Sequence, residues 1–197
     1  MPKKVILVRH GRTRWNAERR YMGVTDIDLD DTGLAQAEKL KKRLSLEEID
    51  KVYASDSCRA LNFASIIFDR KPIVKMRELR EMNFGVLEGM TYEEILRKYP
   101  KVYDEWLSDI HSANIPEGES MQSMKERVLG AFNKITSANR GKILAIVTHA
   151  GPIRVIVNDI TRSVNFWDVM PDSASVSVIE FADKMPKVVL INDTSHL

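Results

Sequence analysis

Two apolar runs that each end in a histidine constrain this chain more than any other feature. The first, Val5-Ile6-Leu7-Val8, leads straight into Arg9-His10-Gly11. The second, Ile143-Leu144-Ala145-Ile146-Val147, leads into Thr148-His149-Ala150-Gly151. Unbroken aliphatic and β-branched runs of this length read as strands buried on both faces, as in a parallel sheet covered by helices. Such a sheet presents ligands at the carboxyl ends of its strands. The two histidines are therefore expected to face each other on one edge. His111 and His196 sit in polar sequence and are given no functional role.

Between the two runs, strand and helix signals alternate. Asp30 is placed to cap a helix reaching Leu44, with Leu34, Ala37, Leu40, Lys41 and Leu44 on its sheet-facing side. Residues 51–55 read as a strand, and a helix follows from about Asp56 to Phe68 or Asp69. A short strand covers 73–75, and an irregular stretch runs from Glu78 to Gly85. Thr91 with Glu94 makes a capping box, and Pro100 divides the helical stretch that follows. Ser120 caps a helix from Met121 to about Ala138, and another helix follows His149. Strands at 175–181 and 186–191 close the chain as an edge hairpin. Strand and helix in this order predict an α/β fold: a three-layer α/β/α sandwich on a mostly parallel sheet. Its 197 residues are expected to form one domain, with a small helical insert at about 88–125.

The charge balance excludes several partners. Thirty basic and 28 acidic side chains leave a net charge of +2, too even to predict nucleic-acid or membrane-surface binding. No apolar run approaches the ~20 residues of a membrane span. The hydrophobic stretch at the N-terminus is too short for a signal peptide. The single cysteine, Cys58, allows no intrachain disulfide and no cysteine metal cluster. A cytoplasmic location is expected, with Cys58 as a small helix residue facing the sheet.

Affinity for anions must then come from local placement. Arg9 precedes His10, and Arg59 lies one helical turn beyond the strand ending at Ser55-Asp56. Two arginines and two histidines at one edge suit a doubly charged tetrahedral anion, because guanidinium groups donate in pairs to phosphate oxygens. One neutral imidazole can attack phosphorus while the other donates to oxygens that gain charge. A phosphate ester also needs its leaving oxygen protonated by a carboxylic acid kept neutral by burial. Glu81 is the best-placed candidate, with Glu78 and Glu88 as competitors. The partner expected is a small-molecule phosphate ester.

Arg9-His10-Gly11 with Thr13 and Asn16, Ser55-Asp56-x-x-Arg59-Ala60, Arg80-Glu81-x-x-Phe84-Gly85-x-x-Glu88-Gly89 and Thr148-His149-Ala150-Gly151-x-Ile153-Arg154 together resemble the histidine phosphatase superfamily, which includes the cofactor-dependent phosphoglycerate mutases. The match spans nearly the whole chain in order. The resemblance implies that His10 is the phosphorylated nucleophile and that Arg9, Arg59 and His149 bind the phosphoryl group. It makes Glu81 the general acid and then the base, brings Asn16 to the phosphate, and calls for no metal or other cofactor. The short insert, with Phe84-Gly85-x-Leu87-Glu88-Gly89-Met90-Thr91 and Ile115-Pro116-Glu117-Gly118-Glu119-Ser120, resembles the α-ribazole and broad-specificity phosphatases more than the mutases. Arg12, Thr13 and Tyr92 are candidate pocket residues. Two positions depart from the family pattern: Arg12, usually Glu or Gln, and Asp172-Ser173-Ala174-Ser175, where an Asn-Ala/Cys-Ser pattern is common.

Other chemistries fit less well. Asp28-Leu29-Asp30-Asp31-Thr32 has the D-x-D-x-T spacing of Mg-dependent haloacid-dehalogenase-type phosphatases, but the strand that motif requires is interrupted by Gly23 and Asp26. Asp28 and Asp30 read instead as turn and cap residues. Cysteine phosphatases need Cys-x5-Arg, and position 64 is Ala. A scaffold that had lost its chemistry would lack a catalytic position, whereas all five are present. The insert aromatics Tyr92, Tyr99, Tyr103 and Trp106 either line the pocket mouth or pack the insert onto the sheet.

Overall fold

A computed structural model describes residues 1–110, 112–163, 165–182 and 185–197. In chain order the elements are β1 (Lys4–Arg9), α1 (Arg14–Ala17), α2 (Asp31–Leu44), β2 (Lys51–Ser55), α3 (Cys58–Ile67) and β3 (Ile73–Met76). There follow α4 (Tyr92–Lys98), α5 (Pro100–Ser108), α6 (Met121–Ser137), β4 (Ile143–Thr148), α7 (Ala150–Thr161), β5 (Val176–Ala182) and β6 (Met185–Asp193). The expectation for His111 lies outside the described residues.

The strands form one six-stranded sheet in the order β3-β2-β4-β1-β5-β6. β3, β2, β4 and β1 run parallel. β5 is antiparallel to β1, and β6 to β5. Alternate strand residues serve two cores, as period-2 geometry requires. Val5, Leu7, Tyr53, Leu144 and Ile146 face the core that also takes in Trp106, Met124, Val128 and Ile153. Ile6, Val8, Val52, Ala54, Ala145 and Val147 face the other, with Ala37, Leu40 and Phe63. Burial on both faces is why β1 and β4 are apolar without alternation.

Register fixes the site. β1 and β4 pair in parallel with Arg9 opposite Thr148, and the His10 amide donates to the Thr148 carbonyl at 2.9 Å. His10 and His149 therefore leave the sheet side by side.

Two local expectations change. In α2 the buried stripe is Gly33, Ala37, Leu40 and Leu44, while Leu34 is exposed and Lys41 pairs with Asp69 at the surface. Gly33 lies against the Arg12 backbone, where a Cβ would fall 2.1 Å from the Arg12 carbonyl. That contact turns the helix so that Gly33 and not Leu34 faces inward. Cys58 is half-buried at the first turn of α3, outside the buried set Arg59, Ala60, Phe63, Ala64 and Ile67. Its amide donates to Asp26 Oδ1 at 2.8 Å, and burial together with that carboxylate pushes its thiol up to about 12. Pro100 does divide the helical stretch, starting α5 directly after the Tyr99 break.

Candidate active site

At the carboxyl edge of β1 and β4, the imidazoles of His10 and His149 meet edge to face with ring centroids 5.0 Å apart. Both side chains are buried. His10 Nδ1 lies 2.7 Å from the Gly11 carbonyl, an acceptor only, so Nδ1 carries the proton and Nε2 keeps its lone pair. Burial, and then Arg59 and Arg9, hold the His10 pKa well below the usual imidazole range. The ring is thus neutral at physiological pH, the state a nucleophile needs. His149 is lowered in the same direction by burial, Arg59, His10 and Arg9. Its Nε2 is taken up by Ser55 Oγ at 2.9 Å and Ser57 Oγ at 3.2 Å.

Two guanidinium groups complete the edge. Arg59, fully buried on α3, donates to the carbonyls of Gly23 and Thr25. Arg9 donates to the Pro171 carbonyl at 2.6 Å. Each still has a buried Nε without a partner, and so does His149 Nδ1. Buried polar groups are nearly always paired. Three of the unpartnered buried polar atoms are thus nitrogens of Arg9, Arg59 and His149, groups that could donate to an oxygen-rich anion.

Glu81 stands at this edge almost fully buried. Its Oε1 accepts from the Met82 amide at 3.0 Å and its Oε2 from the Gly151 amide at 3.1 Å. Glu88, a sequence competitor, is wholly occupied. It accepts from the amides of Val24, Thr25 and Phe84 and from the Thr25 hydroxyl. Glu78 is exposed. Beside Glu81 opens a cavity of about 220 Å³ walled by Tyr21, Phe84, Trp106, Phe166 and Trp167, with Arg154 its cation. The Arg154 guanidinium stacks on Phe166 and Trp167 at 5.5 and 4.9 Å, and its Nε donates to the Val169 carbonyl.

Other candidates lie elsewhere. Arg12 turns outward, its Nε on Asp30 at 2.8 Å and its Nη2 on Thr32 at 2.6 Å. Thr13 is buried as the cap of α1, and Asn16 closes that capping box through Oδ1. Tyr92 is half exposed against Tyr103, outside the cavity lining. Among the insert aromatics, Trp106 walls the cavity while Tyr103 packs in the core and meets Tyr21 hydroxyl to hydroxyl at 2.7 Å. Asp28 and Asp30 are turn and cap residues: Asp30 accepts from the Gly33 amide and Asp28 from Leu29 and Asn62. Among the described residues, no group of three or more His, Cys, Asp or Glu is arranged to hold a metal ion.

Sequence reasoning missed several supports. The 171–175 segment clasps the end of β1: Ala174 donates its amide to the His10 carbonyl, and Arg9 to that of Ser175. Arg127 on α6 binds the loop carrying Glu81. Its one sequence signal was a charge on the rim of the apolar stripe Met121, Met124, Val128 and Ala131.

Similarity to known proteins bears on the fold and the family. The model of the histidine phosphatase superfamily, branch 1, matches residues 5–194. "Phosphoserine phosphatase 1" of Hydrogenobacter thermophilus is 32% identical over 98% of this chain and 94% of its own. The structure of Bacillus stearothermophilus YhfR superposes with a TM-score of 0.93 at 31% identity, covering 100% of this chain and 99% of the other. A structure of a putative α-ribazole-5'-P phosphatase from Escherichia coli reaches 0.91 at 23% identity over 98% and 97%, which carries the fold alone. The chain belongs to the histidine phosphatase superfamily. Within that family it is an enzyme of the phosphatase class.

Proposed function

We propose that this protein hydrolyses small phosphate monoesters through a phosphohistidine formed on His10. The observation that carries the reading is the cluster at one strand edge: His10 with Nδ1 on the Gly11 carbonyl, His149 edge-on against it, and unpartnered buried nitrogens on Arg9, Arg59 and His149. In the first step His10 Nε2 bonds to phosphorus as the ester P–O bond breaks. Glu81 passes its proton to the departing oxygen. Arg9, Arg59 and the His149 Nδ1 donor balance the charge on the phosphoryl oxygens. In the second step Glu81, now a carboxylate, takes a proton from water as the water oxygen bonds to phosphorus and frees His10. The mechanism assigns no step to a metal or other cofactor.

The leaving group occupies the cavity beside Glu81. Its aromatic wall suits a flat or apolar body, and Arg154 suits an acidic one. The relative named phosphoserine phosphatase supports an acidic, amino-acid-sized alcohol; α-ribazole phosphate and other small esters are admitted by the same wall. In this reading residues 1–197 act as one catalytic domain, and the 88–125 insert supplies Trp106 to the wall.

Rates on phosphoserine, α-ribazole phosphate, 3-phosphoglycerate, sugar phosphates and an aryl phosphate test the reading. Wild type is expected to hydrolyse one or more of these with EDTA present. His10→Ala is expected to lose at least about 10³-fold. Activity lost to EDTA, with His10→Ala active and Asp28→Ala dead, would overturn it.

A further inference from the structure

The loop that carries Glu81 has almost no regular backbone bonding of its own. Four consecutive carbonyls, from Glu78 to Glu81, point to side chains. Leu79 accepts from the Thr148 hydroxyl at 2.6 Å. The other three all accept from one guanidinium, that of Arg127 on α6: Glu78 at 2.9 Å and Arg80 at 2.7 Å from Nη1, and Glu81 at 3.0 Å from Nη2. The remaining donors of Arg127 lock onto Glu119 as a bidentate pair, Nε to Oε1 at 2.6 Å and Nη2 to Oε2 at 2.7 Å. All five N–H donors are thereby spent. Arg80, between them, is pinned by its own bidentate pair to Asp56, next to the serines that hold His149.

Stability alone does not ask for this arrangement. The Arg127–Glu119 pair is largely shielded, its side chains 22% and 17% exposed, so its attraction is offset by the cost of desolvating both charges, and loop carbonyls near a surface are ordinarily satisfied by water. What a rigid, planar, five-donor fork adds is position. It fixes the backbone of residues 78–81 relative to α6, and so fixes where the Glu81 carboxyl stands relative to His10. Proton transfer to a leaving oxygen is sensitive to displacements of about 1 Å.

We infer that Arg127 is a positioning residue for the general acid, acting through the backbone of the 78–81 loop and anchored by Glu119. The inference rests on the proposed role of Glu81. Arg127 is not among the residues walling the aromatic cavity, although with Glu81 it lines a second cleft of about 600 Å³ and its charge reaches His149; a substitution that keeps the charge but breaks the fork therefore isolates its effect on the acid. Esters with good leaving groups depart without protonation; alkyl esters do not.

The test is a series of phosphate monoesters from p-nitrophenyl to alkyl, measured on wild type, Glu81→Gln, Arg127→Lys and the double variant. Lysine keeps the charge but cannot span three carbonyls and a carboxylate. Arg127→Lys is expected to slow alkyl esters at least about tenfold more than p-nitrophenyl phosphate, steepening the dependence of rate on leaving-group pKa. In the Glu81→Gln background the same change is expected to cost almost nothing more, because the group it positions is gone. Glu119→Gln, which loosens the anchor without touching the loop, is expected to show the same pattern more weakly and keeps the test open should Arg127→Lys fold poorly. A uniform loss across all leaving groups, or costs that multiply in the double variant, would overturn the inference. If Glu81→Gln itself shows no leaving-group dependence, the acid assignment falls instead, and the two failures are told apart.

Discussion

A missing side chain sets the position of the acid. A Cβ on Gly151 would fall 2.2 Å from Glu81 Oε1, and its amide holds Oε2 at 3.1 Å. Gly151→Ala is therefore expected to expel Glu81 from its seat and to lower kcat on alkyl phosphates by on the order of 10²-fold, the range set for general acid catalysis. The melting temperature should move little. Full activity in the alanine variant, by steady-state assay, would show that the carboxyl does not work from there. At this scale the sequence was informative where chemistry dictates residue type. His10, His149 and Arg9 could be placed together because they close the two buried strands, whereas Arg59, on α3, and Glu81, in the loop beyond β3, were picked out by the charge and the proton that phosphoryl chemistry needs. Arg12 was not, since nothing in Arg-His-Gly-Arg says which way the last side chain turns. Its direction is decided by Asp30 and Thr32, 18 and 20 residues away. Arg127 was hidden for the same reason, because its partners are carbonyls that no sequence displays.

Among the elements, the loop that follows β1 and the start of α2 are joined through Asp30. Its Oδ1 caps α2 at the Gly33 amide while its Oδ2 holds Arg12. Asp30→Ala removes both and is expected to cost about 1–2 kcal/mol in urea unfolding, the usual worth of a cap with a small added term for a partly exposed ion pair. KM for a small phosphate ester should not change. A rise in KM of tenfold or more would return Arg12 to the substrate pocket. Elements with strong local signals followed the sequence closely: the two buried strands, the Thr91–Glu94 box, the Pro100 break and the Ser120 cap. The face of α2 did not. A stripe containing Leu34 and one containing Gly33 differ by a single position, and close backbone approach, not hydrophobicity, chose between them.

For the whole molecule, two buried neutral imidazoles make stability depend on pH. Both histidines sit well below their ordinary value near 6.5 in the fold, chiefly through burial. In the unfolded chain they titrate near 6.5. Below that pH the unfolded state binds more protons, so the fold loses stability as pH falls from about 6.5 toward the folded-state values. Above it the contribution is complete. Each ring contributes a slope of up to about 1.4 kcal/mol per pH unit in that window. Urea midpoints between pH 7.5 and 5.5 should fall, and His10→Asn should flatten the fall in part, since His149 and, less strongly, His196 are lowered in the same direction. An identical slope in the variant would mean that His10 is protonated in the fold. This same neutrality underlies the catalytic proposal.

The most direct measurement is to trap the intermediate. Enzyme mixed with substrate labelled in the phosphoryl group, quenched in alkali within the first turnover, should carry about one label per chain. The label should be stable in base, labile in acid, and located by peptide mapping on the segment containing His10. It should be absent in His10→Ala and should persist longer in Glu81→Gln, which cannot activate water. An active enzyme that never carries label, or label recovered on Asp28 or another residue, would contradict the account at its centre.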